Sequence, residues 1–226
     1  MLTQTITRNS SQAVRVTRSV PANIVSLGSS IAMMGAVMPF ARNVEIYGEN
    51  ETADYLYKVV SGVVRTYKLL SDGRRQIGSF YLPGDIFGLE FGGEHTSSAE
   101  AVADSKIHVI KRSAVVALAG RDKEIARQLW RMTATELQGA QDHIMLLVKT
   151  AKERVVGFLL EMAERNLGAS EFDLPMSRQD IADYLGLTIE TVSRTVKQLV
   201  NSGAIAVPTS RHIVLRSRGA LNRMNA

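Results

Sequence analysis

Between Thr188 and Gln198, seven polar or charged side chains are expected to face outward: Thr188, Glu190, Thr191, Ser193, Arg194, Lys197 and Gln198. Wound into an α-helix, Glu190, Arg194 and Lys197 share one face, because residues three and four apart stand above one another. A guanidinium fork, a carboxylate and several hydroxyls on one face can hydrogen-bond base edges and phosphate oxygens. The chain lacks cysteine and the spacings that mark metal or nucleophilic sites. The sequence has no cysteine, which excludes disulfides, thiolate zinc sites, cysteine-ligated clusters and a cysteine nucleophile. His95, His108, His143 and His212 are scattered with no H-x-H pair, and Glu90 with His95 is too sparse a set for a metal-binding roll. Catalytic triads, phosphate-binding glycine loops and zincin motifs are missing as well. No metal, cofactor or enzymatic activity is expected.

The elements that must position this strip are legible around it. Ser177 is a good N-cap, with Asp180 three residues later as an imperfect capping-box partner. Ile181, Ala182 and Leu185 form an apolar stripe, and Gly186 ends the first helix where a left-handed residue is usual. Thr188 caps a second helix running from Ile189 to about Asn201, with Ile189, Val192, Val196, Leu199 and Val200 as its buried face and Ser202-Gly203 as its stop. A small Ala182 lets the helices cross closely, Gly186 permits the tight turn, and Val192 packs the second helix on the first: a helix-turn-helix. Downstream, Ile205-Ala206-Val207, Pro208-Thr209-Ser210-Arg211 and His212-Ile213-Val214-Leu215 read as a hairpin, or wing. From Ser177 to Ala226, seven Lys/Arg against three Asp/Glu give +4, most of the chain's net +5. Such concentration suits a polyanionic partner, double-stranded DNA.

The rest of the 226 residues divides by pattern. Residues 1–22 carry Arg8, Arg15 and Arg18 and no acid; the composition mimics a transit peptide but lacks an amphipathic period, and a flexible arm is expected. Ile24, Leu27, Ile31, Met34, Val37 and Met38 are spaced as in a short amphipathic helix stopped near Pro39. Residues 44–111 read as β structure punctuated by glycines. The strands are expected at Asp54–Ser61, Gly62–Leu70 and Arg74–Leu82, with turns at Ser71-Asp72-Gly73 and Pro83-Gly84-Asp85. Short strands with frequent turns suggest a small roll or jelly roll. Residues 112–168 become helical. Trp130, Thr133, Leu137, Ala140, Ile144 and Leu147 alternate spacings of three and four, which fits the seam of a two-helix coiled coil and also a single helix lying on its own β domain. Leu167-Gly168-Ala169-Ser170 reads as a linker to the C-terminal unit. No stretch approaches the ~20 apolar residues of a membrane span.

A β-roll, a long helix and a winged helix-turn-helix together resemble the CRP/FNR superfamily of bacterial transcription regulators, from about residue 23 to the C-terminus. The most specific part is Leu185 to Arg194, L-G-L-T-I-E-T-V-S-R, whose E-x-x-S-R pattern looks like that of the FNR and FixK branch. Ile189 stands where the cAMP-receptor branch usually has Arg. The resemblance implies an α+β fold: an N-terminal double-stranded β-helix (jelly-roll) sensor-like domain at 23–120, a dimerisation helix at 121–149 and a C-terminal winged helix-turn-helix at 150–226. It implies a cytoplasmic homodimer on inverted repeats of TTGAT-like half-sites, working with RNA polymerase on microaerobic, anaerobic or nitrogen-fixation genes. Activation is the family's habit; the motif alone fits repression equally.

Departures narrow the branch. The cysteines that hold an iron–sulfur cluster in oxygen-sensing members are absent. Phe87-Gly88-Leu89-Glu90 and Ser97-Ser98-Ala99-Glu100 replace the nucleotide-binding segments, so the phosphate-neutralising Arg is missing and Glu100 is expected to repel the phosphate. Ala140 stands where oxygen sensors tend to have Asp, and Ser193 where some FixK-type proteins have Cys. A FixK-type regulator without cluster or nucleotide is the expectation. One alternative is a relative gated by an unknown effector in the roll; a remoter one is a cupin-like metalloenzyme with a DNA-binding tail. Carried over by motif position and geometry, base reading falls to Glu190, Ser193 and Arg194. Phosphate contacts fall to Ser177, Arg178, Thr188, Thr191 and Lys197, with Arg211 or His212 from the wing. The dimer seam is Trp130, Thr133, Leu137, Ala140, Ile144 and Leu147.

Overall fold

The computed structural model describes residues 34–90 and 92–225. The expected arm at 1–22, and the part of the expected helix before residue 34, lie outside the described residues. What is described of that helix is a strand instead, β1 (Ala36–Phe40), paired antiparallel with β8 (Ser105–Lys111). Gly35 shows why the chain turns into a strand there. Its φ is +130°, and a Cβ on it would sit 2.2 Å from the Val109 carbonyl oxygen. Pro39 is tolerated because β1 is an edge strand, where a missing N–H costs no ladder bond.

The roll continues through β2 (Glu45–Tyr47), β3 (Tyr55–Ser61), β4 (Val64–Leu69), β5 (Arg75–Tyr81), β6 (Ile86–Phe87) and β7 (Ser98–Ala101). Two four-stranded antiparallel sheets form, in the orders β1-β8-β3-β6 and β2-β7-β4-β5. Tyr47, Tyr57, Val59, Val64, Tyr81, Phe87, Ala99 and Ile107 pack as one buried cluster contributed by both sheets, as alternation of apolar residues on paired strands requires. The two expected turns are in place. Leu70 N–H donates to Arg74 O at 2.8 Å across the first, and Asp85 N–H to Leu82 O at 3.0 Å in the second.

Helices follow: α1 (Arg112–Ala119), α2 (Lys123–Leu147) and α3 (Ala151–Arg165). Asp122 caps α2 through the N–H groups of Glu124 and Ile125, and Thr150 with Glu153 forms a full capping box on α3. The C-terminal part adds β9 (Glu171–Asp173), α4 (Arg178–Leu185), α5 (Ile189–Asn201), β10 (Ile205–Ala206), β11 (His212–Leu215) and α6 (Arg218–Met224). Leu167–Ser170, expected as a linker, is an internal turn of this unit. α3 buries Val155, Phe158, Leu159 and Met162 in the same core as Ile181, Leu185, Val192, Leu199 and Ile213. The Gly there serves the helix end, its N–H returning to Ala163 O at 2.9 Å, while the Ser170 carbonyl accepts from Leu215 N–H at 2.7 Å.

The two halves are packed together. β5 lies against α4, with Phe80 5.2 Å from Tyr184 ring to ring. His143 of α2 stacks on Tyr184 at 4.0 Å. No helix among the described residues is long and apolar enough to cross a membrane.

Candidate nucleic-acid interface

The helix-turn-helix forms because its caps and its turn agree. Ser177 Oγ accepts from Asp180 N–H at 3.1 Å, while Asp180 Oδ2 accepts from Ser177 N–H at 2.9 Å, so the capping box is complete rather than imperfect. Gly186 is left-handed (φ +60°), and Leu187 N–H bonds back to Ala182 O at 3.0 Å. Ala182 and Val192 are fully buried where the helices cross. Thr188 caps α5.

The buried face of α5 is Val192, Thr195, Val196 and Leu199. Ile189 and Val200, expected inside, are 37% and 39% exposed. Ile189 opens the first turn, and Val200 lies about 100° round from Leu199, at the edge of the stripe. Thr195 takes an inward position that hydrophobicity alone did not indicate.

Glu190, Ser193, Arg194, Lys197 and Gln198 are exposed together along α5. Among the described residues Glu190, Arg194 and Lys197 enter no ion pair. Thr188 and Thr191 share a hydroxyl contact at 3.1 Å. Ser177 differs from these: its hydroxyl donates to Asp180 Oδ2 at 2.7 Å and its N–H goes to the same oxygen, leaving no donor for a phosphate. Arg178 is half-buried at the N-terminus of α4, and burial pulls its guanidinium below the usual range. A phosphate would relieve it, since a cation is disfavoured at that helix end.

The wing is a three-stranded sheet, β10-β11-β9. His212 Nδ1 lies 2.9 Å from Asp173 Oδ1 on β9. Arg211 lines a groove between this unit and the roll, beside Leu82, Pro83, Arg165 and Asp173. The structure thus gathers Glu190, Ser193, Arg194, Thr188, Thr191 and Lys197 on one helix. The wing residues are held apart from them on the hairpin.

The long helix has two faces. Ile125 and Gln128 are buried, Leu129 and Met132 pack beside Ile125 against α1 and the roll, and Glu136 accepts a hydrogen bond from Tyr81 at 2.8 Å. Trp130, Leu137 and Ile144 are 76%, 60% and 61% exposed, with Thr133 and Ala140 exposed between them. Leu147 is half-buried, turned towards Gly186. The helix therefore lies on its own β domain through Ile125, Leu129 and Met132, and leaves the Trp130–Leu137–Ile144 stripe exposed on another face. Val148, 72% exposed, extends that seam.

A cavity of about 360 Å³ separates the roll from α2. Among the described residues its lining carries Glu90 and Glu136 and no Lys or Arg, so a cyclic phosphate finds no counter-charge there. The expected repulsion by Glu100 is corrected: Glu100 lies outside this lining and is paired with Arg65 at 2.6 Å. The residues present do not fit a cyclic nucleotide. Among the described residues no cluster of three or more His, Asp or Glu could hold a metal.

This fold and this exposed helix define a class, the winged helix-turn-helix regulators built on a β-roll. Residues 37–122 match the cyclic nucleotide-binding domain family, and residues 153–224 the Crp-like helix-turn-helix domain family. The chain is 51% identical to the nitrogen fixation regulation protein FixK of Azorhizobium caulinodans, covering 87% of this chain and 82% of that one. Against FixK of Rhizobium meliloti it is 42% identical, covering 80% and 82%. The structure of FixK2 from Bradyrhizobium japonicum superposes with a TM-score of 0.82 at 52% identity, over 85% of this chain and 98% of that chain. The chain belongs to the CRP/FNR family. Within it, the similarity is to FixK nitrogen-fixation regulators, which are transcription regulators and not enzymes.

Proposed function

We propose that the chain is a FixK-type transcription regulator that binds TTGAT-like inverted repeats as a homodimer, without a cluster or a cyclic nucleotide. The observation that carries this is the bare strip on α5, where Glu190, Ser193 and Arg194 stand exposed and Glu190 and Arg194 are free of ion pairs. Arg194 reads a guanine bidentately, Glu190 accepts from a cytosine or adenine amino group, and Ser193 reaches a base edge between them. Arg178, Thr188, Thr191 and Lys197 hold phosphates, with Arg211 or His212 at the wing. One helix-turn-helix reads one half-site, so two must be joined, and the exposed Trp130–Leu137–Ile144 seam suits a second copy of α2. Residues 23–120, 121–149 and 150–226 divide the work as effector-type roll, dimer helix and reader. The protein acts in the cytoplasm with RNA polymerase, on microaerobic, anaerobic or nitrogen-fixation genes.

The test is an anisotropy titration of purified, effector-free protein. The probes are a TTGAT inverted repeat and a scrambled duplex at fixed salt. Tight selective binding supports the reading. Weak binding without selectivity opposes it and favours a second reading, an effector in the cavity between the roll and α2. That reading rests on the buried Tyr47 hydroxyl at this cavity, which has no hydrogen-bond partner among the described residues.

A further inference from the structure

We infer that Asp180 is a positioning residue: through two arginines of the β-roll it fixes the angle at which the DNA-reading helix is presented. This rests on the DNA-binding reading and adds to it a named link between the two halves of the chain. Asp180 is 4% exposed, and both its oxygens are in use. Oδ2 closes the capping box on Ser177. Oδ1 accepts from Arg65 Nη1 at 2.8 Å and from Arg75 Nη2 at 2.7 Å. Arg65 rises from β4 and is itself only 6% exposed; its other terminal nitrogen donates to Glu100 of β7 at 2.6 Å. Arg75 rises from β5 and donates from Nε to Asp183, one turn along α4, at 2.9 Å. Gln76 adds a bond to the Tyr184 carbonyl at 3.3 Å.

The consequence is geometric. Two carboxylates three residues apart on α4 are held by guanidiniums from adjacent strands, and a forked cation fixes direction as well as distance. α5 crosses α4 at the Ala182–Gly186–Val192 corner, so an orientation imposed on α4 is imposed on the reading strip. The same carboxylate that starts the helix also tethers it to the roll, and the roll rests on the dimer helix. A reader with a preset angle is pre-organised for two half-sites at one spacing. A reader hinged loosely to the same dimer would still bind each half-site and would be indifferent to the spacing between them.

The experiment uses the full chain and three duplexes: the TTGAT inverted repeat, the same repeat with its spacer lengthened by about half a turn (~5 base pairs), and a single half-site. Asp180→Asn removes the charge both arginines hold. Arg75→Gln leaves Arg65 on Asp180 and keeps the test available if Asp180→Asn does not fold, as thermal unfolding monitored by circular dichroism will show. The wild type prefers the first duplex strongly over the second. In a folded variant that preference falls, by about tenfold for Asp180→Asn and less for Arg75→Gln, while half-site affinity stays at the wild-type value. An unchanged spacing preference in the folded variants overturns the inference. So does an equal loss on all three duplexes, which would mark Asp180 as a cap and nothing more. A wild type that shows no preference for the repeat over scrambled DNA would instead sink the functional reading itself.

Discussion

The two helices of the helix-turn-helix use their charges in opposite ways. On α4, Asp180 and Asp183 point into the molecule and are neutralised by Arg65 and Arg75. On α5, Glu190, Arg194 and Lys197 point out, with no ion pair among the described residues. Burying a charge is costly unless it is paired, so the buried carboxylates bring directional contacts that hold a helix in place. An exposed charge with no internal partner gives up no intramolecular ion pair when it meets DNA, and its preferences are set by the partner. One helix is held, the other reads.

The sharpest way to break this division is at the third participant, the bare seam of α2. Leu137→Glu places a carboxylate in the middle of the apolar stripe, where like charges from two copies would meet. Sedimentation is expected to show monomer. Affinity for the inverted repeat is expected to fall about a hundredfold or more, the size of the avidity lost when two linked sites become one. Full DNA affinity in a protein shown to be monomeric would remove the seam from the mechanism.

A smaller effect separates reading from holding. Arg194→Ala is expected to cost ~1–3 kcal/mol on the cognate site and to relax preference at a single base pair. Binding to every half-site variant with the wild-type order of preference would show that Arg194 reads nothing. Smaller again is Lys197→Ala, which weakens all sequences about equally. It is expected to lower the slope of log affinity against log salt by about one counterion, ~0.9. A sequence-dependent loss would move Lys197 from the phosphates to the bases.

The reading half of this comparison was legible in the sequence and the holding half was not. Ser177, Gly186, Thr188 and the exposed strip follow from local rules about caps, left-handed residues and helical period, which need only a dozen residues of context. The four carboxylate–arginine contacts join positions more than a hundred residues apart, Arg65 and Arg75 to Asp180 and Asp183, and no local pattern marks them. Local rules also misled where two periods overlap. Met34, Val37 and Met38 fit a helix as written, yet Ala36–Phe40 pairs with β8 because Gly35 and an edge position permit it. By residue type Ile189 and Val200 belong inside, yet helical geometry leaves them partly exposed and turns Thr195 inward. Glu100 faces Arg65 rather than a ligand, and their pairing across β4 and β7 leaves no mark in the sequence.

The smallest expected effect probes the joint between the two regimes. His143 of α2 places Nε2 2.8 Å from the Tyr184 carbonyl and stacks on the Tyr184 ring, at the place where the long helix, the roll and α4 meet. Burial lowers its pKa below the ordinary 6.5, and the carbonyls of Tyr184 and Gly78 oppose that shift without cancelling it. A histidine with a depressed folded pKa binds its proton more readily in the unfolded chain. Its contribution to stability is therefore complete above about 6.5 and is lost as the pH falls towards the folded value. Thermal unfolding followed from pH 7.5 down to pH 5.5 is expected to show this decline, and His143→Gln is expected to flatten part of it. His108, whose pKa burial and Lys58 also lower, accounts for a remainder of the same sign. If the joint matters to the reader's angle, the wild type should lose spacing preference over that interval before it loses half-site binding. The two measurements together then distinguish a loosened hold from a damaged reader.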